Sequence, residues 1–524
     1  MDNNAKDPQS QVKFRAIYAL ATIFVVTFLL FLLSLVLQGN LTAVLGDPAR
    51  WINELDSSVS FEIISTSAEL LAAILAIAIT VVAIVVELAA NRYSHRITYL
   101  FLRDPINIGV MSFFVVATLY SLWIALTLDS AMDGAAVANA GLLISMIMVT
   151  LSLVILLPYF AYVMSFLSPV NIIATIQNSA LVAIETLELD SVENSKEKFL
   201  NAVDQLQDIA RRSVELSDRS VEMASINSLL DLVSKYQDLI SSRKHEIPGW
   251  FSIDSTIRKD PDFISINNNS LDQIEEQQLW VEVKIMRQYL DLVSDSNPSS
   301  RDTTYLIAIN TKNIAVSSIQ SRPGLELVDL CMRCFNSYLR ATINNKDART
   351  GYYIMNQYRM LAEELMASGE DETVVKIARH INFYGTLGFK QNIPFLLEVS
   401  AEDIAKLAAN CIGSNESLLD KLLYLLLELD QEVKQEFQEE SLIGVRRAQL
   451  KLAARFLSSN EEARAARICE DIKLEKAERK ELLIQQLKAE DRKEYWEFTD
   501  RGVNFSYIPP TDRAKLDELA GRIT

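Results

Sequence analysis

Apolar residues cluster in the first third of the chain. Between residues 16 and 166 they form four long runs, Ala16–Leu37, Ile63–Ala90, Ile106–Leu128 and Ala140–Phe166, each of 18 or more residues with almost no charge. A helix needs about 20 such residues to cross the hydrocarbon core of a bilayer. From Pro169 onward the pattern changes to apolar positions every three or four residues between polar ones, the mark of amphipathic helices packed in water. The expected fold is all-α: a four-transmembrane-helix bundle followed by a large helical, solenoid-like cytoplasmic domain. The expected divisions are a transmembrane domain over 1–168 (helices about 16–37, 63–90, 106–128 and 140–166), a helical stalk over 169–244, an irregular linker segment with one helix over 245–301, and a helical domain over 302–524. Tail helices are expected near 171–189, 193–214, 218–243, 271–295, 302–319, 325–343, 349–368, 371–388, 400–412, 416–429, 441–458, 460–472, 475–497 and 511–521.

The charged residues between the runs give an orientation. Lys6, Lys13 and Arg15 precede the first run, and Arg92, Arg96 and Arg103 separate the second from the third. The other two loops carry mainly Asp47, Glu54, Asp56, Glu62, Asp129 and Asp133, with Arg50 the one cation. Basic loops stay on the cytoplasmic side, so both termini are expected there. The first run exceeds the ~7–15 residues of a signal-peptide core and no clear cleavage site follows, so it reads as a retained span. Trp51, Tyr159 and Tyr162 are placed to act as interfacial anchors.

The second run carries an ordered face. Glu69, Ala73, Ala76, Thr80, Ala83, Glu87 and Asn91 recur every three or four residues and fall within roughly 40° of one line on a helix. The rest of that helix is mostly large and apolar. A carboxylate in a span is costly and faces protein or water. Two readings fit: the stripe lines an ion or solute path, or its small residues allow close packing against a neighbouring helix, with Glu87 paired to an arginine of the following loop. At 1.5 Å per residue the run is about 42 Å long, more than the core thickness, so it tilts or protrudes.

The junction between the second and third runs reads Val86-Glu87-Leu88-Ala89-Ala90-Asn91-Arg92-Tyr93-Ser94-His95-Arg96, then Phe101, Asp104, Asn107 and Gly109, then Tyr120-Ser121-Leu122. Over about residues 60–170 this resembles a bacterial family of predicted membrane proteins, domain of unknown function 2254. In that family a Ser-Pro-Arg triplet is followed by Phe, Asp, Gln and Gly at comparable spacing; here His95 replaces the proline and Asn107 the glutamine. The resemblance implies a bacterial inner (cytoplasmic) membrane setting and brings no activity or functional residues with it. Arg92, Arg96 and Arg103 form a basic loop that either meets lipid phosphates, each contact worth on the order of 1 kcal/mol, or simply fixes topology.

Charge narrows the function. The chain carries a net -18; residues 1–164 hold 7 Lys/Arg against 11 Asp/Glu, and the remainder 43 against 57. Nucleic-acid binding needs a basic footprint that this chain lacks. The four cysteines, Cys331, Cys334, Cys411 and Cys469, are too few for a disulfide framework and suit a reducing compartment. Cys331-x-x-Cys334 has ligand-like spacing but no second pair, so no metal and no cofactor is expected. No phosphate-binding glycine loop or His-Glu-x-x-His motif occurs, and no catalytic residue is proposed. The expected function is an oligomeric, cation-preferring channel or pore whose cytoplasmic domain serves as vestibule or gate. The alternative is a membrane-anchored scaffold that binds a soluble partner. The expected partners are the lipid bilayer and further copies of the chain.

Overall fold

The computed structural model describes residues 57–92, 101–130, 135–166, 168–185, 191–242, 249–294, 301–321, 324–429, 442–497, 499 and 501–523. All regular structure among them is helical. The chain forms two compact units, Met1–Thr175 and Ile176–Thr524.

In the first unit three helices pack pairwise: α1 (Ser57–Arg92), α2 (Pro105–Ser130) and α3 (Ala135–Phe166). They contain three candidate membrane spans, Phe61–Leu88, Pro105–Leu126 and Gly141–Ser165. These correspond to the second, third and fourth apolar runs; the first, 16–37, lies outside the described residues. Helix α1 turns Ile64, Ser67, Leu71, Ile74, Ala78, Val82 and Val85 inward, at intervals of three and four. Phe114 and Ala117 of α2 and Tyr159 and Val163 of α3 are buried with that face. Large apolar side chains such as Ile77, Trp123, Leu126, Leu157 and Met164 are more than half exposed or close to it. So much outward apolar surface suits hydrocarbon as the surrounding solvent. Helices α2 and α3 are also joined by a buried 2.8 Å hydrogen bond between the hydroxyls of Ser121 and Ser145. Close approach there depends on Gly141, because a Cβ at that position would lie 2.8 Å from Cγ2 of Ile124.

Helix α4 (Pro169–Glu185) follows α3 in sequence. The second unit continues with α5 (Val192–Glu215), α6 (Arg219–Ser242), three short helices α7 (Ser255–Lys259), α8 (Pro261–Ile264) and α9 (Asn268–Glu276), then α10 (Trp280–Ser294), α11 (Arg301–Ser321), α12 (Glu326–Asn344), α13 (Ala348–Ala367), α14 (Asp371–Lys390), α15 (Phe395–Cys411), α16 (Glu416–Glu428), α17 (Ile443–Ser458), α18 (Glu462–Ile472), α19 (Ala477–Ala489), α20 (Pro510–Arg513) and α21 (Leu516–Ile523). Most packing is between near neighbours in sequence, such as α5 on α6, α13 on α14 and α15 on α17.

The short helices each start on a side-chain cap. Asp254 accepts from the backbone N–H of Thr256 and Ile257, Asp260 from Asp262, and Asn267 from Ser270. The segment that carries them is pinned to its neighbours. The fully buried Trp250 and Trp280 rings meet edge-on at 5.0 Å, with Phe199 of α5 against both. The Trp280 indole N–H donates to the Trp250 carbonyl at 2.9 Å. From α5 the buried Lys196 ammonium donates to the Ser252 carbonyl and to Asp254, both at 2.7 Å.

Candidate functional site

The stripe predicted on the second run lies on α1, on the side away from the helix's packed face. On a helical wheel the mean direction of Glu69, Ala73, Ala76, Thr80, Ala83 and Glu87 is about 180° from that of Ile64, Leu71, Ala78 and Val85. All six stripe residues are exposed, and the opposite set is buried. The stripe is therefore not the surface on which α2 and α3 pack. Thr80 donates its hydroxyl hydrogen back to the Ala76 carbonyl at 2.8 Å, which satisfies it within the helix. Asn91 and Arg92 close α1 but their side chains, like all of Arg96, lie outside the described residues. Arg103 is exposed just before α2.

The residues that carry the family resemblance form a joint instead. Asp104 caps α2: its carboxylate accepts from the Asn107 backbone N–H at 2.9 Å, and Pro105 takes the first helical position, where no N–H is needed. The Asn107 side-chain amide donates to the Phe101 carbonyl at 3.3 Å, and its oxygen accepts the Tyr159 hydroxyl from α3 at 2.6 Å. Tyr162 is hydrogen-bonded to Asp104. Phe101, Asn107 and Tyr159 are at most 5% exposed. Tyr159 is thus not the interfacial anchor expected from its position near the end of a span. Its ring packs edge-on against Phe114 at 6.3 Å, and its hydroxyl is consumed by Asn107. A Cβ at Gly109 would meet nothing within 4 Å, so that glycine is not required by packing among the described helices.

One cluster in the second unit has the donor set of a cation site. Carboxylate oxygens of Asp204, Asp260 and Asp262 lie within 4.8 Å of one another. The ammonium of Lys284, fully buried, sits among them at 2.6 Å from Asp204, 2.9 Å from Asp260 and 2.6 Å from Asp262. It takes the position a bound cation would need. Burial pushes the Asp204 carboxyl above its ordinary value; Lys284 pulls against that rise, and repulsion from Asp260 and Asp262 adds to it. The Lys284 ammonium opposes burial through its carboxylate partners, Asp204 first, and is held above its ordinary value.

Cys331 and Cys334 are buried in α12. Burial pushes both thiols up, Cys334 to about 12, so neither is a ready thiolate. The His380 imidazole, half-buried in α14, meets the Tyr358 hydroxyl at 2.8 Å and is held below its ordinary value by burial.

Exposed apolar spans joined by a buried polar joint define a helical integral-membrane protein. Over residues 14–230 the chain matches the model of the family described as Predicted membrane protein (DUF2254). The match extends beyond 60–170 on both sides, into the run at 16–37 and through α5 into α6. No curated protein and no solved structure matches the chain.

Proposed function

We propose that the chain is one subunit of an oligomeric membrane channel or pore, its path lined by the α1 stripe. A single observation carries this reading. Two carboxylates, Glu69 and Glu87, and the small or polar residues between them share the exposed face of α1, opposite the face used for packing on α2 and α3. A carboxylate on a span gains by facing water or protein rather than lipid. Several copies arranged around an axis would give both carboxylates an aqueous surface, which three or four helices alone are too few to enclose. The carboxylates favour cations. On this reading the protein is not an enzyme and does not bind nucleic acid. It lies in a bacterial inner membrane with both termini cytoplasmic, and the stack of α5–α21 forms a solenoid-like vestibule or gate.

The test is planar-bilayer conductance of the purified protein, paired with its oligomeric state in native lipid. Cation-selective current should appear, and Glu69→Gln with Glu87→Gln should reduce that selectivity. A monomer without conductance at any voltage or membrane tension would defeat the proposal. A second reading, a membrane-anchored scaffold, draws support from the exposed Trp496, which stacks on Tyr495 at 4.1 Å in a helical unit of several hundred residues. That reading requires a soluble partner whose binding Trp496→Ser weakens.

A further inference from the structure

The second unit has a half-open cavity of about 520 Å³ between α13, α15, α17 and the C-terminal segment 501–512. This lies within the ~300–1,000 Å³ range of small-molecule sites. Its walls combine two kinds of surface. Met360, Leu452, Val503 and Ile508 make an apolar wall. Arg359, Lys406, Lys451, Arg455 and Arg501 supply five cations, against the carboxylates Glu402, Asp403 and Asp512. Such an excess stands out in a chain of net charge -18.

The pairing leaves positive charge uncompensated. Lys451 is matched by Glu402 at 2.8 Å, and Arg455 reaches Asp512 at 3.5 Å. Arg359 and Arg501, whose side chains are 6% and 7% exposed, share one carboxylate, Asp403, itself 1% exposed. Glu363, outside the lining, is divided between Arg359 and Lys406. Even with Glu363 counted, one cation remains in excess, and two guanidiniums are held where solvent screens them poorly. Arg359 and Arg501 have Asp403 and Glu363 as counter-charges, so the excess falls on the Lys406 ammonium beside them, and an anionic ligand would supply its counter-charge. The Lys406 ammonium registers the same field. It is held below its ordinary value by burial first and then by Arg359, while Glu363 and Asp403 oppose that. Segment 501–512 is fastened across the cavity: Arg501 donates to Asp403 and to the Tyr352 carbonyl, and Lys451 donates to the Phe505 carbonyl at 2.8 Å.

We propose that this cavity binds a small amphipathic anion, an acidic head on an apolar body, with the head on Lys406, Arg455 and the paired arginines and the body against Met360, Leu452 and Ile508. Carboxylate and phosphate heads share the chemistry required. The experiment measures equilibrium binding to the full chain in a neutral maltoside detergent, with octanoate and octyl phosphate as probes and octanol and inorganic phosphate as controls. One saturable site per chain is expected for octanoate, octyl phosphate or both, and the preferred head identifies the source. The Lys406→Gln/Arg455→Gln double variant should lose at least tenfold in affinity, and Lys406→Gln alone, altered at a side chain that is 55% exposed, should weaken binding while keeping its thermal midpoint. Ala409→Phe, which fills the cavity with all charges in place, should abolish binding. Absence of saturable binding by either probe, equal binding of octanol or inorganic phosphate, or unchanged affinity in the double variant would each overturn the proposal.

Discussion

The Tyr159 hydroxyl donates to the Asn107 side-chain oxygen at 2.6 Å, tying the third described span to the first turn of the second. Both residues are buried, and Asn107 in turn holds the Phe101 carbonyl. The joint spends polar groups inside an apolar bundle, where an unmade hydrogen bond costs more than a made one gains.

Removing one partner should expose that asymmetry. Tyr159→Phe keeps the ring against Phe114 but leaves the Asn107 oxygen buried and unpaired. The expected loss is about 1–3 kcal/mol, read as a lower thermal midpoint of the purified protein in detergent. Tyr120→Phe, at a half-buried position, serves as control and should leave the midpoint unchanged.

Lys284 holds together three carboxylates that would otherwise repel. Lys284→Met should destabilise the second unit by about 3–5 kcal/mol at neutral pH, the range for breaking a buried ion cluster on one side. The pH dependence has a definite sign. In the native protein Lys284 is held above its ordinary value, so its contribution is complete below about 10.5, the unfolded value, and is lost as the pH rises through its folded value. Asp204 is also raised, so its protonated form is the better tolerated one, and its ionisation costs stability as the pH climbs from its ordinary 3.8 through the raised value. Without the ammonium, which pulls against its rise, Asp204 rises further, and its protonation then relieves the repulsion. The deficit of Lys284→Met relative to the native protein should therefore narrow from pH 8 to pH 5. Thermal unfolding across that range measures it; a deficit independent of pH would show that the lysine acts through packing alone.

At Gly385 α14 lies close against α15. A Cβ there would lie 2.7 Å from the Ser400 Cβ and 3.3 Å from the Leu396 carbonyl oxygen, and the Ser400 hydroxyl is committed to the Leu396 and Ile381 carbonyls at 2.9 and 3.0 Å. Gly385→Ala should force the helices apart and cost about 1–3 kcal/mol, by thermal midpoint. Gly369→Ala is a useful contrast: it has open space but a φ of 80°, so its smaller cost is purely of backbone origin.

How much of this was legible in the sequence varies with the physics. Span positions were, because a bilayer demands long uninterrupted apolar runs and Phe61–Leu88 is one. Which face of α1 packs was harder to read. When lipid and protein are both apolar, Leu71, Ile74 and Val85 gain little more from one than from the other, so hydrophobic contrast does not mark the packed side. The α7–α8 segment reads as irregular in the sequence because helices of four or five residues are too short for a 3.6-residue period to register, and the helix expected over 271–295 is two, α9 and α10. Asp260-Pro261, read as a break, is an N-cap followed by a first helical position. Helix α15 begins at Phe395 rather than near 400, directly after Pro394, and α19 ends at Ala489 rather than near 497. The clusters around Lys284 and Asp403 were not legible at all. A lysine or arginine alone reads as a solvated surface residue, and its partners here come from as far as 98 positions away, as Asp403 does for Arg501.

Whether the exposed stripe of α1 borders water is read out by thiol modification during current recording. The native cysteines are all buried, so single cysteines can be introduced into the unaltered chain. Current through Ala76→Cys and Ala83→Cys channels should fall on addition of a membrane-impermeant cationic thiol reagent, while Ile77→Cys, an apolar position off the stripe, should not respond. Stripe cysteines that stay unmodified, or a response from Ile77→Cys equal to theirs, would contradict a stripe that borders water.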